Sequence, residues 1–176
     1  KENSSRYALP DRMKVRLLRY DANNKDVLAK MKVTNDEMRD YYDANIDKYS
    51  SKGTNGVEVV KKFDDVKASI EKELRKIAAI NYYETNLSLR VYKDLQKGAK
   101  VSRLDVLAKE DGLKVTTSGW FSLENVYVDK FMVRRSGICP GAGNFSEVVA
   151  ELDPDTEDLR YGIVSSQNAV WVIERS

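Results

Sequence analysis

Histidine is absent from all 176 residues, and cysteine occurs once, at Cys139. Without imidazole there is no Ser-His-Asp triad, no Cys-His dyad and no histidine metal site. One thiol excludes an internal disulfide, a CxxC redox pair and a cysteine-rich zinc site. Any catalysis here would have to rest on carboxylates, lysine or tyrosine. No run approaches the roughly 18 apolar residues of a membrane span, and no secretory signal pattern is present. An excess of one charge is lacking too. Thirty basic against 28 acidic residues leave a net charge of +2, not the clustered basic stripe of a nucleic-acid surface, so no nucleic-acid partner is expected. The chain opens at Lys1 with no initiator methionine, and a mature or excised fragment is expected, with any upstream anchor out of view.

What is present reads as an ordered series of elements. Residues 1–12 are a polar lead-in ending at Leu9-Pro10-Asp11, where proline restricts both itself and its neighbour. Residues 13–20 alternate as a strand, and a short helix through Val27, Leu28 and Met31 follows. Thr34-Asn35-Asp36-Glu37 is a capping box that opens a helix over 34–48 carrying Met38, Tyr41, Tyr42 and Ile46. Small polar residues with two glycines, Gly53 and Gly56, make 50–60 a linker. Nothing breaks a helix over 64–97, where Val66, Ile70, Leu74, Ile77, Ile80, Leu87, Val91 and Leu95 recur at three-and-four spacing before Gly98. Such a helix would be roughly 50 Å long, either straight or bent near Asn86; its heptad register drifts between Asn81 and Thr85.

A second cap at Ser102 starts a short helix ending at Gly112, and a strand over 113–117 runs into Gly119-Trp120-Phe121-Ser122. A long irregular segment over 122–143 has the length of a binding loop or lid. Asn144 is placed to cap a short helix through Phe145, Val148 and Val149. Residues 161–165 and 169–173 alternate around Ser166-Gln167-Asn168, a hairpin.

The remaining polar clusters carry no recognisable chemistry. Asp64-Asp65, Glu71/Glu73 and the acidic run Glu151-Asp153-Asp155-Glu157-Asp158 lack the spacing of a calcium loop and read as solvated acidic faces. Pro140-Gly141-Ala142-Gly143 is not followed by Lys-Ser/Thr, so it is no phosphate loop, and Cys139 beside it reads as a bystander thiol. No metal or cofactor is expected.

The order "LAKEDGLKV", "TTSGWFS", "NFSEVVAELDPD", "YGIVSSQNAVWVIER" resembles the C-terminal half of a parvulin-type prolyl isomerase domain. In that family an "LAK" helix leads to a glycine-and-aromatic segment, then a short helix beginning with phenylalanine, then a strand hairpin. "ALPDRMKVRLLRYDA", "VTNDEMRDYYDANIDKYS" and "FDDVKASIEKELRKIAAINYYE" are similar to the chaperone region of the SurA/PpiD group of periplasmic folding factors. The resemblance covers about residues 8–176 and departs from the family twice. Where those proteins insert a complete parvulin module, this chain has only Ser50 to Val60. Where active parvulins carry "G-x-H-I-I" in the last strand, it reads Asn168-Ala169-Val170-Trp171-Val172-Ile173, with Trp171 at the histidine position. X-Pro isomerisation crosses a barrier of about 18–20 kcal/mol, and tryptophan lacks the paired donor and acceptor capacity of imidazole.

The chain is therefore expected to be α+β, with a helical SurA/PpiD-like chaperone module over 1–97 and a small antiparallel sheet of degenerate parvulin-like type over 98–176. The strand at 13–20 docks either on that sheet or on the helices. The resemblance implies a non-catalytic periplasmic chaperone that binds unfolded or extended polypeptide, either free or anchored in the inner membrane upstream of Lys1. Trp120, Phe121, Phe131, Met132, Phe145 and Trp171 are the candidates for its peptide groove. For Phe121 and Phe145 the alternative is core packing. Tyr41-Tyr42 and Tyr82-Tyr83 are either core residues with polar tips or a substrate-facing set. The alternative functions are an envelope assembly module with one dedicated partner, which includes a homodimer, and a prolyl isomerase whose catalytic module lies elsewhere.

Overall fold

Alternating apolar residues put the first strands in place. The computed structural model describes residues 12–52, 58–92, 101–122, 138–156 and 159–176, and in it β1 (Arg12–Met13) and β2 (Val15–Asp21) open the chain. By compactness the chain divides into two units, one of Ala22–Asn81 and one of Lys1–Asp21 with Tyr82–Ser176. The boundary thus falls at residues 81–82, inside a helix, and not at 97–98.

The first of these, residues 22–81, is mostly helical. Helix α1 (Lys25–Lys30) is capped by Asn24, whose Oδ1 accepts from the backbone N–H of Asp26 and Val27. Helix α2 (Asn35–Ala44) starts at the expected capping box but stops four residues short of the expected end. Asn45 leaves helical geometry at φ −125°, ψ 29°, and Ile46–Tyr49 tightens into a 3-10 turn. At both ends of the expected linker over 50–60 the described residues are instead paired strands. Strand β3 (Ser50–Lys52) pairs antiparallel with β4 (Glu58–Val60), Ser50 opposite Val60. The small polar residues that suggest a linker are equally good turn formers between short alternating strands. Helix α3 (Phe63–Tyr92) is one continuous run of 30 residues, about 45 Å long; the expected residues 93–97 lie outside the described segments.

Buried positions on α3 change spacing along its length. Val66 and Ile70 are buried, and Leu74, four residues on, packs against them. The next buried set is Ala79, Tyr83, Leu87 and Val91. Each set keeps the four-residue step of one helix face, with a step of five between Leu74 and Ala79.

The other unit is a four-stranded antiparallel sheet between helical layers. After helix α4 (Arg103–Asp111), closed by Gly112 in the left-handed region (φ 65°), come β5 (Thr116–Thr117) and β6 (Phe121–Ser122). Helix α5 (Phe145–Glu151) and the hairpin β7 (Tyr161–Ser165) and β8 (Ala169–Arg175) complete it. The sheet order is β5-β2-β8-β7, and β1 pairs with β6 beside it. The open question about the early strand is thus answered: β2 lies inside the sheet, paired with β8 from Val15↔Arg175 to Asp21↔Ala169. Only Thr116 and Thr117 of the expected strand over 113–117 pair, opposite Leu17 and Arg16.

One sheet face, with Val15, Leu17, Trp171, Ile173 and Val164, packs on α5 through Phe145, Val149 and Leu152. The opposite face carries Leu18, Tyr20, Val170 and Val172, all buried, and α4 packs there on β2 and β8. Tyr20 meets Tyr83 of α3 at 5.3 Å between ring centroids, and its hydroxyl donates to Asp111 at 2.6 Å. Glu174 is buried on this face, accepting from Arg16 and from the Ser102 hydroxyl, each at 2.8 Å. Ser102, expected to cap α4 with its side chain, spends that hydroxyl on Glu174 instead. Asn144 likewise makes no cap bond to α5; its Oδ1 accepts from the Ser165 N–H at 3.5 Å.

Candidate peptide-binding groove

The groove in the helical unit begins with the cap of α2. Thr34 Oγ1 accepts from the Glu37 N–H at 3.2 Å, and Glu37 Oε2 accepts from the Thr34 N–H at 2.7 Å. These bonds from Thr34 hold the Glu37 carboxyl below its usual range. Val33, just before the cap, packs on the cluster containing Met38, the arrangement of a hydrophobic staple. The start and entry angle of α2 are therefore set locally.

Adjacent tyrosines on α2 then diverge, because neighbours on a helix point about 100° apart. Tyr42 stacks on Tyr49 at 5.4 Å, meets Phe63 edge-on at 5.7 Å and donates its hydroxyl to the Lys61 carbonyl at 2.6 Å. Tyr41 donates to Glu73 at 2.7 Å and accepts from Lys48 Nζ at 2.8 Å. Its hydroxyl, and next the Glu73 charge, hold the Lys48 ammonium above its usual value.

Between α2 and α3 this leaves a cavity of ≈ 390 Å³. Its floor is apolar: Val33, Leu74, Ile77 and Ala78. Its rim is polar: Lys32, Glu37, Asp40 and Tyr41. Ile77 is 41% exposed, so the floor opens to solvent. Such a site can take an apolar side chain in its floor and orient the attached backbone through its rim. Among the described residues no cluster of three or more histidine, cysteine, aspartate or glutamate side chains is placed to hold a metal ion.

The residues singled out from sequence lie elsewhere. Phe145 and Trp171 are buried in the core of the sheet unit, and Phe121 packs against that core, 6.0 Å from Phe145 between ring centroids. Trp120 is 61% exposed, with Lys14 Nζ 4.6 Å from its ring centre. Phe131 and Met132 lie outside the described residues. Cys139 is buried at a turn with φ 45°, and burial pushes its thiol pKa up, away from the reactive thiolate. Tyr82 is exposed and Tyr83 buried, the same division of a pair as at Tyr41-Tyr42.

Of the groove residues, only Tyr41 was within reach of the sequence as a substrate-facing candidate. Ile77 carries the missed signal. It is an apolar residue on α3 that belongs to neither four-residue run of buried positions. Among the described residues no helix is long and apolar enough to cross a membrane. No protein-family model, curated protein or solved structure matches the chain.

Proposed function

We propose that this chain is a non-catalytic polypeptide-binding module, a SurA/PpiD-like extracytoplasmic chaperone that holds apolar segments of unfolded clients. The observation that carries it is the open groove between α2 and α3, with the apolar floor of Val33, Leu74, Ile77 and Ala78 inside a polar rim. The resemblance supports it through the series α4, Gly119-Trp120-Phe121, α5 beginning at Phe145, and the β7–β8 hairpin. One or two apolar client side chains buried in the groove contribute about 1.5–3 kcal/mol each. Ordering the flexible client offsets about 2–5 kcal/mol. Binding is then weak and reversible, as a holding activity requires.

The test is suppression of aggregation. At near-stoichiometric ratios the protein reduces light scattering by several unrelated denatured clients, and Ile77→Glu, which places a charge on an already exposed position, abolishes the effect. Failure with every client sinks this reading and favours the second, a dedicated protein partner. Exposed Leu89, at 66% accessibility, together with exposed Tyr82 on the same helix, favours that alternative. A proline-isomerisation rate well above background would overturn the non-catalytic assignment.

A further inference from the structure

Among the described residues β7 is an edge strand of the sheet, and its hydrogen-bonding pattern can be read from two flanking bonds. Arg175 N–H donates to the Arg160 carbonyl at 3.1 Å, and Ser166 N–H donates to the Ala169 carbonyl at 2.9 Å. In an antiparallel pair, hydrogen-bonded and non-hydrogen-bonded positions alternate. With Tyr161↔Glu174 through Ser165↔Val170 as the register, Gly162 and Val164 turn their backbone groups toward β8. Tyr161, Ile163 and Ser165 turn theirs outward.

Two of these three outward positions are engaged by the protein's own side chains. Tyr92 donates its hydroxyl to the Tyr161 carbonyl at 3.0 Å, and Asn144 Oδ1 takes the Ser165 N–H at 3.5 Å. Ile163, between them, has no outward hydrogen-bond partner among the described residues. Its edge opens on a cavity of ≈ 300 Å³. Ser88 and Tyr92 of α3 flank this cavity on one side, and Val148 and Leu152 of α5 on the other. Glu151, the acidic member of the lining, is exposed and has no ion-pair partner among the described residues. A backbone donor and acceptor on one residue, set between Ser88 and Tyr92 on one side and apolar Val148 and Leu152 on the other, match one residue of an extended chain. The Glu151 carboxylate beside them matches a cation.

We propose that the β7 edge is a strand-addition site for a short extended polypeptide segment. One residue of that segment pairs with Ile163 through two backbone hydrogen bonds, an apolar neighbour enters the cavity, and a flanking lysine or arginine meets Glu151. Main-chain pairing supplies the docking in this mode, and alternate side chains supply the selectivity. This site belongs to the sheet unit and does not depend on the α2–α3 groove.

The probe is a fluorescent heptapeptide of alternating valine and threonine with a lysine at each end, followed by anisotropy. Saturable binding is expected. An analogue N-methylated at its central amides, which cannot pair along an edge, binds at least tenfold more weakly; because the protein is unchanged, no folding defect enters the comparison. Ile163→Pro removes the outward N–H, a change tolerated at sheet edges, and gives a similar loss. Glu151→Gln weakens the lysine peptide severalfold and leaves a norleucine analogue unaffected. Hydrogen exchange at the Ile163 amide slows when the peptide is bound, and Ile77→Glu leaves affinity unchanged. Equal binding of the N-methylated peptide, an unchanged Ile163 exchange rate at saturation, or no binding at millimolar peptide overturns the proposal. Loss of binding in Ile77→Glu but not in Ile163→Pro also overturns it, and assigns the peptide to the α2–α3 groove.

Discussion

Gly162 sits on the β7 face that meets α5, and a Cβ placed there would lie 2.4 Å from Val148 Cγ1 and 3.2 Å from Leu152 Cδ2. Hydrogen at this position lets helix and strand approach until Val149 and Leu152 close over the sheet core. Gly162→Ala is expected to destabilise the protein by about 1–3 kcal/mol through overpacking, measured as a lower urea midpoint at constant slope. Adding Val148→Ala should restore part of that loss, since residues in contact do not add independently; full additivity would refute the steric account. The glycine is plain in the sequence. Its reason is not, because Val148 and Gly162 meet only across the α5–β7 contact.

At the scale of elements, local chemistry was legible where neighbours in sequence supply the partners. The Thr34–Glu37 box is complete within four residues, and α2 begins where it says. Thr34→Ala is expected to cost about 1 kcal/mol, read by chemical denaturation. Glu37's carboxyl is held below its ordinary range by the bonds from Thr34, so its contribution is present above the unfolded carboxylate pKa of about 4.3. That contribution is lost as pH falls through the lower folded value. Thr34→Ala keeps the backbone N–H that is the larger cause of this lowering and removes only the hydroxyl's bond to Glu37, so the acid dependence should shrink without vanishing; an unchanged acid profile would show that the hydroxyl contributes nothing to it. Ser102 and Asn144 also stand at expected cap positions, without a complete capping box, yet their side chains serve Glu174 and Ser165. Those partners lie on β8 and β7, beyond what a cap motif can reveal. The paired strands at the two ends of 50–60 read as a linker for a related reason: strands of three residues carry too little alternation to separate from a turn.

Across the whole molecule, tyrosine is the titratable residue that burial governs most. Tyr20, Tyr83, Tyr92 and Tyr161 in the sheet unit, and Tyr49 in the helical one, all have raised pKa values with burial as the largest cause. For each, the neutral form is favoured in the folded chain. Above the unfolded value of about 10 the unfolded state holds fewer protons than the native one, so stability falls as pH rises. Denaturation midpoints should decline above that pH, beyond the decline that the buried Cys139 thiol begins at about 8.5, and Tyr20→Phe should make the decline shallower. A flat alkaline profile would contradict the burial of these rings.

By itself the sequence determined the α+β class, the capped α2, the long α3, the final hairpin and the absence of imidazole chemistry. Each follows from composition or from periodicities and caps complete within a few residues. The tertiary structure alone decided that β2 lies between β5 and β8, that the unit boundary falls within α3, and that Phe145 and Trp171 are core residues. It also placed the open apolar surface at Ile77 and the open backbone edge at Ile163. The physical reason is that a period says which residues share a face, while only packing against distant segments says whether that face is covered. Histidine's absence thus removes familiar catalytic sites, and Trp171 is a buried ring in the core of the sheet unit.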